Sequence, residues 1–316
     1  MKALNELRLG SASNHADTWR SIIEAHTLDQ RNTSGLITEL HCHTRASDGT
    51  LTPSELVELA ANRNIRVLSI TDHDTVAAHD EASEACQRYR IQFIRGIEVS
   101  SLADQGEVHV LGYGVKPTDS RTIERILALR DARDGRAKAM VAKLHALGIP
   151  VSYDRIKTLA GDAMVGRPHV AKALLEGGWV AARQEAFDHY LAEGKPAFVP
   201  HQGLTPAEAI ELIHTAHGIA VVAHPALFAG DPDRLLASLL PHGLDGVEVY
   251  YPMHTSEQVA HYAAFAKTHG LIATGGSDFH GFVGDLETTL GSIHLPGGSI
   301  EAIEVRIEQA QSATSA

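Results

Sequence analysis

The sequence predicts an α/β barrel interrupted by a helical insertion, and three observations carry that expectation. Short apolar runs alternate with capped helical segments from residue 36 onward. The alternation lapses between about 116 and 202, where helical periodicity takes over, and then resumes. Seven or eight runs read as strands, a number that suits a closed barrel better than an open sheet. The expected organisation is a polar extension over 1–35, a barrel over 36–115 and 203–300, an inserted helical subdomain over 116–202, and a C-terminal helix or tail over 301–316.

Residues 1–35 are polar, closing on Ser, Asn, Thr and Gly, and a loosely ordered extension is expected there, with a short helix expected near 17–26. The first strand is expected at 37–41. Thr52-Pro53-Ser54-Glu55 then combines an N-cap, a proline at the first helical position and a capping-box glutamate, opening a helix to about 64. A strand at 67–71, a helix around 76–89 and strands at 92–99 and 107–113 follow, in an arrangement that reads as parallel. Inside the insertion, helices are expected over 122–147, 168–176 and 184–193. Thr205-Pro206-Ala207-Glu208 repeats the capping box. Strands at 219–223 and 246–250, a helix over 255–269, and strands at 271–275 and 291–295 complete the pattern.

Composition narrows the function classes. The chain carries 27 Lys+Arg against 39 Asp+Glu, a formal charge of −12, which disfavours stable binding to long nucleic acids because phosphate tracks need basic surface. A small phosphorylated substrate or a short RNA end reaching a locally positive site stays compatible. No run approaches the roughly 18–20 apolar residues that span a bilayer, and the N-terminus lacks the apolar core of a signal peptide. Two cysteines, Cys42 and Cys86, make no disulfide framework and fit a reducing compartment, so a cytoplasmic protein is expected. Twenty histidines are far more than packing requires, and histidine is the commonest metal ligand.

The polar residues that end the apolar runs carry the chemistry. His41 and His43 stand two apart on an extended chain and so address one side; Asp48 follows in a turn-like Ser-Asp-Gly. Thr71-Asp72-His73-Asp74 ends the next strand, placing carboxylates beside a histidine as its natural orienting partners. Glu98 interrupts an apolar run, where an unpaired buried acid would cost several kcal/mol. His109 lies on one face of the following strand, and by itself reads equally as a core histidine. His224 ends a later strand; Asp278 and His280 repeat the two-residue step after paired glycines. Each has a bland reading alone. Together, ligand-type side chains at the ends of at least six strands converge on the rim where barrel active sites lie. Six imidazoles and three carboxylates exceed one tetrahedral ion and suit two or three, leaving about +3 formal charge for three divalent ions. Mixed nitrogen and oxygen donors suit Mn²⁺, Fe²⁺ or Zn²⁺.

The motifs HCHTRASDGT, ITDHD, GIEVS, EVHVLGY, AHP and GSDFHG, in this order, resemble those of the PHP (polymerase and histidinol phosphatase) family over roughly residues 36–300. Within it the spacing looks most like nucleoside 3′,5′-bisphosphate phosphatases and their 5′→3′ exoribonuclease relatives. The resemblance implies a distorted (β/α)₇ PHP barrel and three metal ions, with Mn²⁺ preferred. It implies His41, His43, Glu98 and Asp278 around one ion, Asp48, His73 and His280 around a second, and Glu98, His109 and His224 around a third. Cys42 between the paired histidines and His79, where a small residue is commoner, are the departures from the family pattern.

The expected reaction is hydrolysis of a phosphoester, with Asp72 or Asp74 orienting His73 or the attacking water. His224, His280 or His201 would donate the proton to the leaving oxygen, and His201 is favoured because a ligated histidine is a poor acid. Arg130, Arg133 and Arg136, at three-residue steps on one helix, and Arg167 are the expected contacts to a second phosphate, Arg130 and Arg133 ranking first. Histidinol phosphatase activity is the neighbouring alternative. A processive nuclease fits the acidic charge less well, an amidohydrolase would want a lysine where Glu98 stands, and a non-catalytic metal-binding module would have lost ligands that this chain keeps.

Overall fold

A computed structural model of the protein describes residues 36–160, 165–200, 203–281 and 289–313. The seven strands β1 (Ile37–Glu39), β2 (Ile65–Ile70), β3 (Gln92–Ala103), β4 (Gly106–Tyr113), β5 (Ile219–Val222), β6 (Gly246–Tyr250) and β7 (Ile272–Gly275) stand side by side in chain order. Backbone pairing continues past the strand ends: His43 N donates to Phe279 O at 2.9 Å and Asp278 N to His41 O at 2.8 Å. Cys42 bridges Phe279 in parallel, so the chain leaving β1 closes against the chain leaving β7. Closure removes both sheet edges. It also carries the His41–His43 and Asp278–His280 pairs, one from each side of the seam, to the same end of the barrel.

Two expectations are corrected by this topology. Strand β4 runs antiparallel to both β3 and β5. A two-residue connection joins Ala103 to its partner Gly106, and a link that short can only reverse the chain. The eighth strand expected at 291–295 is absent: those residues are turn and coil. Since β7 is already paired to the chain beyond β1, no edge is left for it. Gly291 N instead donates to the buried carboxylate of Glu39 at 2.7 Å.

The barrel interior is filled by Leu40, Leu111, Tyr113, Val221 and their neighbours, with Ile300 and Ile303 of the C-terminal helix (Ser299–Ala313) in the same cluster. Both capping boxes form: Thr52 and Glu55 cap α1 (Pro53–Asn62), and Thr205 and Glu208 cap a helix over Pro206–Thr215. After α2 (His79–Tyr89) and β3–β4 comes the helical segment: α3 (Ser120–Ala146), α4 (Tyr153–Ala160), α5 (Arg167–Glu176) and the short α6 (Arg183–Ala186), which runs into a π turn at Phe187–Leu191. Helix α4 and the helix over Pro232–Leu239 have no counterpart in the expected pattern. The helical segment has its own apolar cluster, including Met140, Leu144, Ile156, Leu174 and Leu191. Helix α3 serves both cores. Ile126 and Leu129 pack on the barrel's outer layer, whereas Ala137, Met140, Val141 and Leu144 pack among the inserted helices. Arg133 and Arg136 fall at the changeover, which holds them above the barrel rim.

Candidate metal centre

All nine side chains expected on the rim meet there, around Glu98. Its Oε2 lies 3.2 Å from Nε2 of His41, 3.2 Å from Nε2 of His43 and 3.1 Å from Nδ1 of His73. Its Oε1 lies 2.8 Å from Nδ1 of His109 and 3.3 Å from Nε2 of His224. Asp278 Oδ1 stands 3.3 Å from His41 and 3.0 Å from His43; Asp48 Oδ1 stands 3.3 Å from His280. The antiparallel course of β4 explains why His109, near that strand's start, reaches the same rim as residues at the ends of its neighbours.

Three groups offer ligand atoms all within 4.8 Å of one another: His41, His43, Glu98, Asp278; His43, Asp48, His73, His280; and His73, Glu98, His109. The first matches the set implied by the family resemblance, and the second adds His43. The third has His73 in place of His224, which reaches only the same Glu98 oxygen. The donors fit a cation. Among the described residues, Nε2 of His41, both ring nitrogens of His43, Nδ1 of His73 and of His109, and Oε2 of Glu98 are buried without a hydrogen bond, although carboxylate and imidazole atoms stand about 3 Å apart. Buried polar atoms left so cost free energy that a shared cation offsets.

The electrostatics agree. Burial alone would lower His43, but the carboxylates of Asp278 and Glu98 beside it prevail and push it up to about 10. Burial would raise Glu98 and Asp48, yet the surrounding imidazoles hold both well below the usual carboxylate range. His73 goes the other way: burial, helped by Arg133 and His43, keeps it well below its ordinary value. Three residues of this rim, Asp74, His224 and Asp278, have φ of 54°, 28° and 54°, left-handed conformations without glycine. Such strain persists where the surroundings fix it, and it gathers at functional sites.

The remaining expected residues divide. Asp72 does not orient His73: its carboxylate accepts from Thr44 N at 2.7 Å, Thr44 Oγ1 at 2.6 Å and Ser47 Oγ at 2.6 Å. It ties down the loop that carries Asp48, because its side chain points back under that loop. Arg133, Arg136 and Arg167 line a cavity that also contacts Asp48, His73, His109 and His280. Arg130 is exposed and lines none of it. Three-residue steps advance about 300° around a helix, so Arg130 and Arg136 stand roughly 120° apart and cannot share one face. Arg133 Nε donates to Asp74 Oδ2 at 2.6 Å and its Nη2 to Ser100 Oγ at 2.7 Å. Glu107 bridges Arg136 and, at 2.7 Å, Arg167. His79 is a satisfied core histidine, its Nε2 2.7 Å from Gly96 O. His201 lies outside the described residues.

Sequence reasoning missed two residues. Glu248, fully buried on β6, places Oε1 2.9 Å from His41 Nδ1 and accepts from His224 N at 2.8 Å. Its signal was present: like Glu98, it is an acid inside an apolar strand, Gly-Val-Glu-Val-Tyr. Tyr251 donates from its hydroxyl to Asp278 Oδ2 at 3.1 Å, and nothing in its sequence context marks it.

The PHP domain model matches residues 39–191. The 3′,5′-nucleoside bisphosphate phosphatase of Chromobacterium violaceum is 36% identical over 246 residues, 77% of this chain and 86% of the relative. The 5′-3′ exoribonuclease Rnm of Escherichia coli is 36% identical over 250 residues, covering 78% and 85%. A solved structure from Bifidobacterium adolescentis, described as a metal-dependent phosphoesterase, superposes with a TM-score of 0.78 at 29% identity over 87% of this chain and 98% of that one.

Proposed function

The chain belongs to the PHP domain family and is a phosphoesterase, and from that premise we propose that it removes the 3′-phosphate of nucleoside 3′,5′-bisphosphates. The observation that carries this reading is the cavity walled by Arg133, Arg136 and Arg167, which adjoins the metal cluster. One phosphate at the cluster and a second at the guanidiniums is the arrangement a bisphosphate needs. The same reading extends to short 5′-phosphorylated RNA, because a terminal nucleotide presents the same 5′-phosphate beside the same P–O3′ bond. That the bisphosphatase and exoribonuclease relatives are equally similar supports the extension.

In this reading three divalent ions, Mn²⁺ preferred, sit among His41, His43, Asp48, His73, Glu98, His109, His224, Asp278 and His280. When bound, they supply Lewis acidity and a means of ionising water near neutral pH. Glu98 bridges the groups through both oxygens. The guanidiniums hold the non-reacting phosphate and fix which ester faces the cluster. The six rim imidazoles each face a carboxylate. An imidazole that ligates an ion is a poor proton donor, so in this reading His201 stays the expected source of the proton for the leaving 3′-oxygen.

The test is turnover of adenosine 3′,5′-bisphosphate, histidinol phosphate and a short 5′-phosphorylated RNA by Mn²⁺-loaded protein. Preference for the first, or for the first and the RNA together, is the expected result. Preference for histidinol phosphate would keep the metal centre and discard the substrate.

A further inference from the structure

A second cavity opens on the far side of His109. Glu107, His109 and Arg167 line both it and the arginine-walled cavity, so the two adjoin across a wall made by those side chains. Its inner wall includes His224 of the metal cluster. Away from these shared and cluster residues the chemistry changes. Phe198, Pro225, Leu227 and Phe228 form apolar walls, and Glu193 is the one further charged residue among the described lining.

The two aromatic rings are held in place rather than free. His224 leads directly into the short 3₁₀ turn Pro225–Leu227, so the segment that positions the cluster histidine also positions Phe228. Gly230 packs so closely on Phe228 that an added Cβ would come within 2.6 Å of the ring. Phe198 lies beneath Arg136, whose guanidinium carbon is 5.8 Å from the ring centroid, and Arg136 is itself paired to Glu107. Leu227, at the mouth, is 47% exposed.

We propose that this aromatic cavity receives the nucleobase of the substrate; the proposal rests on the nucleotide reading above and specifies which part of the nucleotide goes where. A ribose bearing two phosphates and a base presents three groups of different chemistry in three directions. The site offers three matching regions, metal cluster, guanidinium wall and aromatic wall, that meet at His109 and Arg167. Any nucleobase has faces that stack on an aromatic ring, so the cavity selects for a base without reading its identity by face contacts alone. Glu193 at the rim can only accept hydrogen bonds, which favours a base edge with an exocyclic amine.

The experiment compares adenosine 3′,5′-bisphosphate with a base-free methyl riboside 3,5-bisphosphate, in the full-length Mn²⁺-loaded enzyme. The wild type is expected to prefer the nucleoside in kcat/KM by about 10- to 100-fold, mainly through KM. Phe228→Ala, and independently Phe198→Leu, should each shrink that preference several-fold, while Phe228→Trp retains it. Equal kcat/KM for the two substrates in the wild type would overturn the proposal, as would a preference untouched in folded variants. Should the wild type hydrolyse neither compound, the substrate reading fails separately. Binding of adenosine 5′-monophosphate, followed by saturation-transfer NMR, then decides the cavity. Contact to the adenine protons that Phe228→Ala abolishes supports it, and no such contact overturns it.

Discussion

Glu248 and His41 form a buried pair, carboxylate Oε1 to ring Nδ1 at 2.9 Å, with neither side chain exposed. The contact places a proton on Nδ1 and leaves Nε2 directed at Glu98 and Asp278. The other oxygen of Glu248 receives the backbone N–H of His224, the residue held at a φ of 28°. One carboxylate thus fixes a ring on one flank of the cluster and a strained backbone on another.

Removing that carboxylate should loosen the cluster without touching a ligand. Glu248→Ala is expected to weaken Mn²⁺ binding by about 10- to 100-fold, the usual cost of losing a group that orients a ligating histidine. Titration calorimetry on chelator-stripped protein reads this directly, and an unchanged affinity would show that the pair serves packing alone.

Glu98 has a larger expected effect because its two oxygens face five imidazoles, carried by four strands or strand ends. Glu98→Gln should lower the number of ions bound per chain and reduce turnover by more than about 100-fold, beyond what an orienting group costs. Asp278→Ala should do likewise. Metal content by elemental analysis after gel filtration checks the first part, and full occupancy in either variant would remove the residue from the ligand set.

The arginines separate by position. Arg167→Ala deletes a partly exposed guanidinium from the cavity wall and should raise KM for a nucleoside 3′,5′-bisphosphate by roughly 10- to 100-fold, the value of a charge-assisted contact. It should affect a simple aryl phosphate much less. Arg130→Ala should change neither by more than about twofold, since Arg130 faces solvent. Equal sensitivity of both substrates to Arg167→Ala would argue against a second phosphate site.

These assignments show which features were legible in the sequence. The paired steps His41–His43 and Asp278–His280, and the acid in Gly-Ile-Glu-Val, stood out because ligand-type side chains interrupt apolar runs at strand ends. The capping boxes at Thr52 and Thr205 marked their helices because the pattern is local. Relationships between distant segments were not legible. Nothing in residues 291–295 reveals that β7 is already paired to the chain beyond β1. The two-residue Asp104-Gln105 link could have shown that β4 turns back, but only once β3 was known to extend to Ala103. Asp72 looked like a partner of its neighbour His73, whereas its hydrogen bonds go to Thr44 and Ser47, far away in sequence. Arg130 shared a spacing with Arg133 and Arg136, yet the turn of the helix carries it off their face.

His169 provides a pH test of the segment next to the site. Its Nδ1 accepts from Gly166 N at 3.1 Å at the start of α5, and burial pushes it down to about 4 from the ordinary 6.5. Between these values the unfolded chain binds a proton that the folded chain refuses. The stabilisation is therefore complete above about 6.5 and is lost as pH falls toward 4. From pH 7.5 to 5 this amounts to about 2 kcal/mol by the usual 1.36 kcal/mol per pKa unit. His169→Asn, which keeps an acceptor without the titration, should flatten the acid limb by that amount in urea melts of chelator-stripped protein. Parallel pH profiles for the two proteins would contradict it.

The central claim is that the cluster cleaves the P–O3′ bond while the arginine wall holds the 5′-phosphate. Identifying the product of adenosine 3′,5′-bisphosphate hydrolysis tests it most directly. The account predicts adenosine 5′-monophosphate and inorganic phosphate in equal amounts, formed with Mn²⁺ and abolished by chelation. Adenosine 3′-monophosphate as the product, or release that continues undiminished after the metal is stripped, would contradict it.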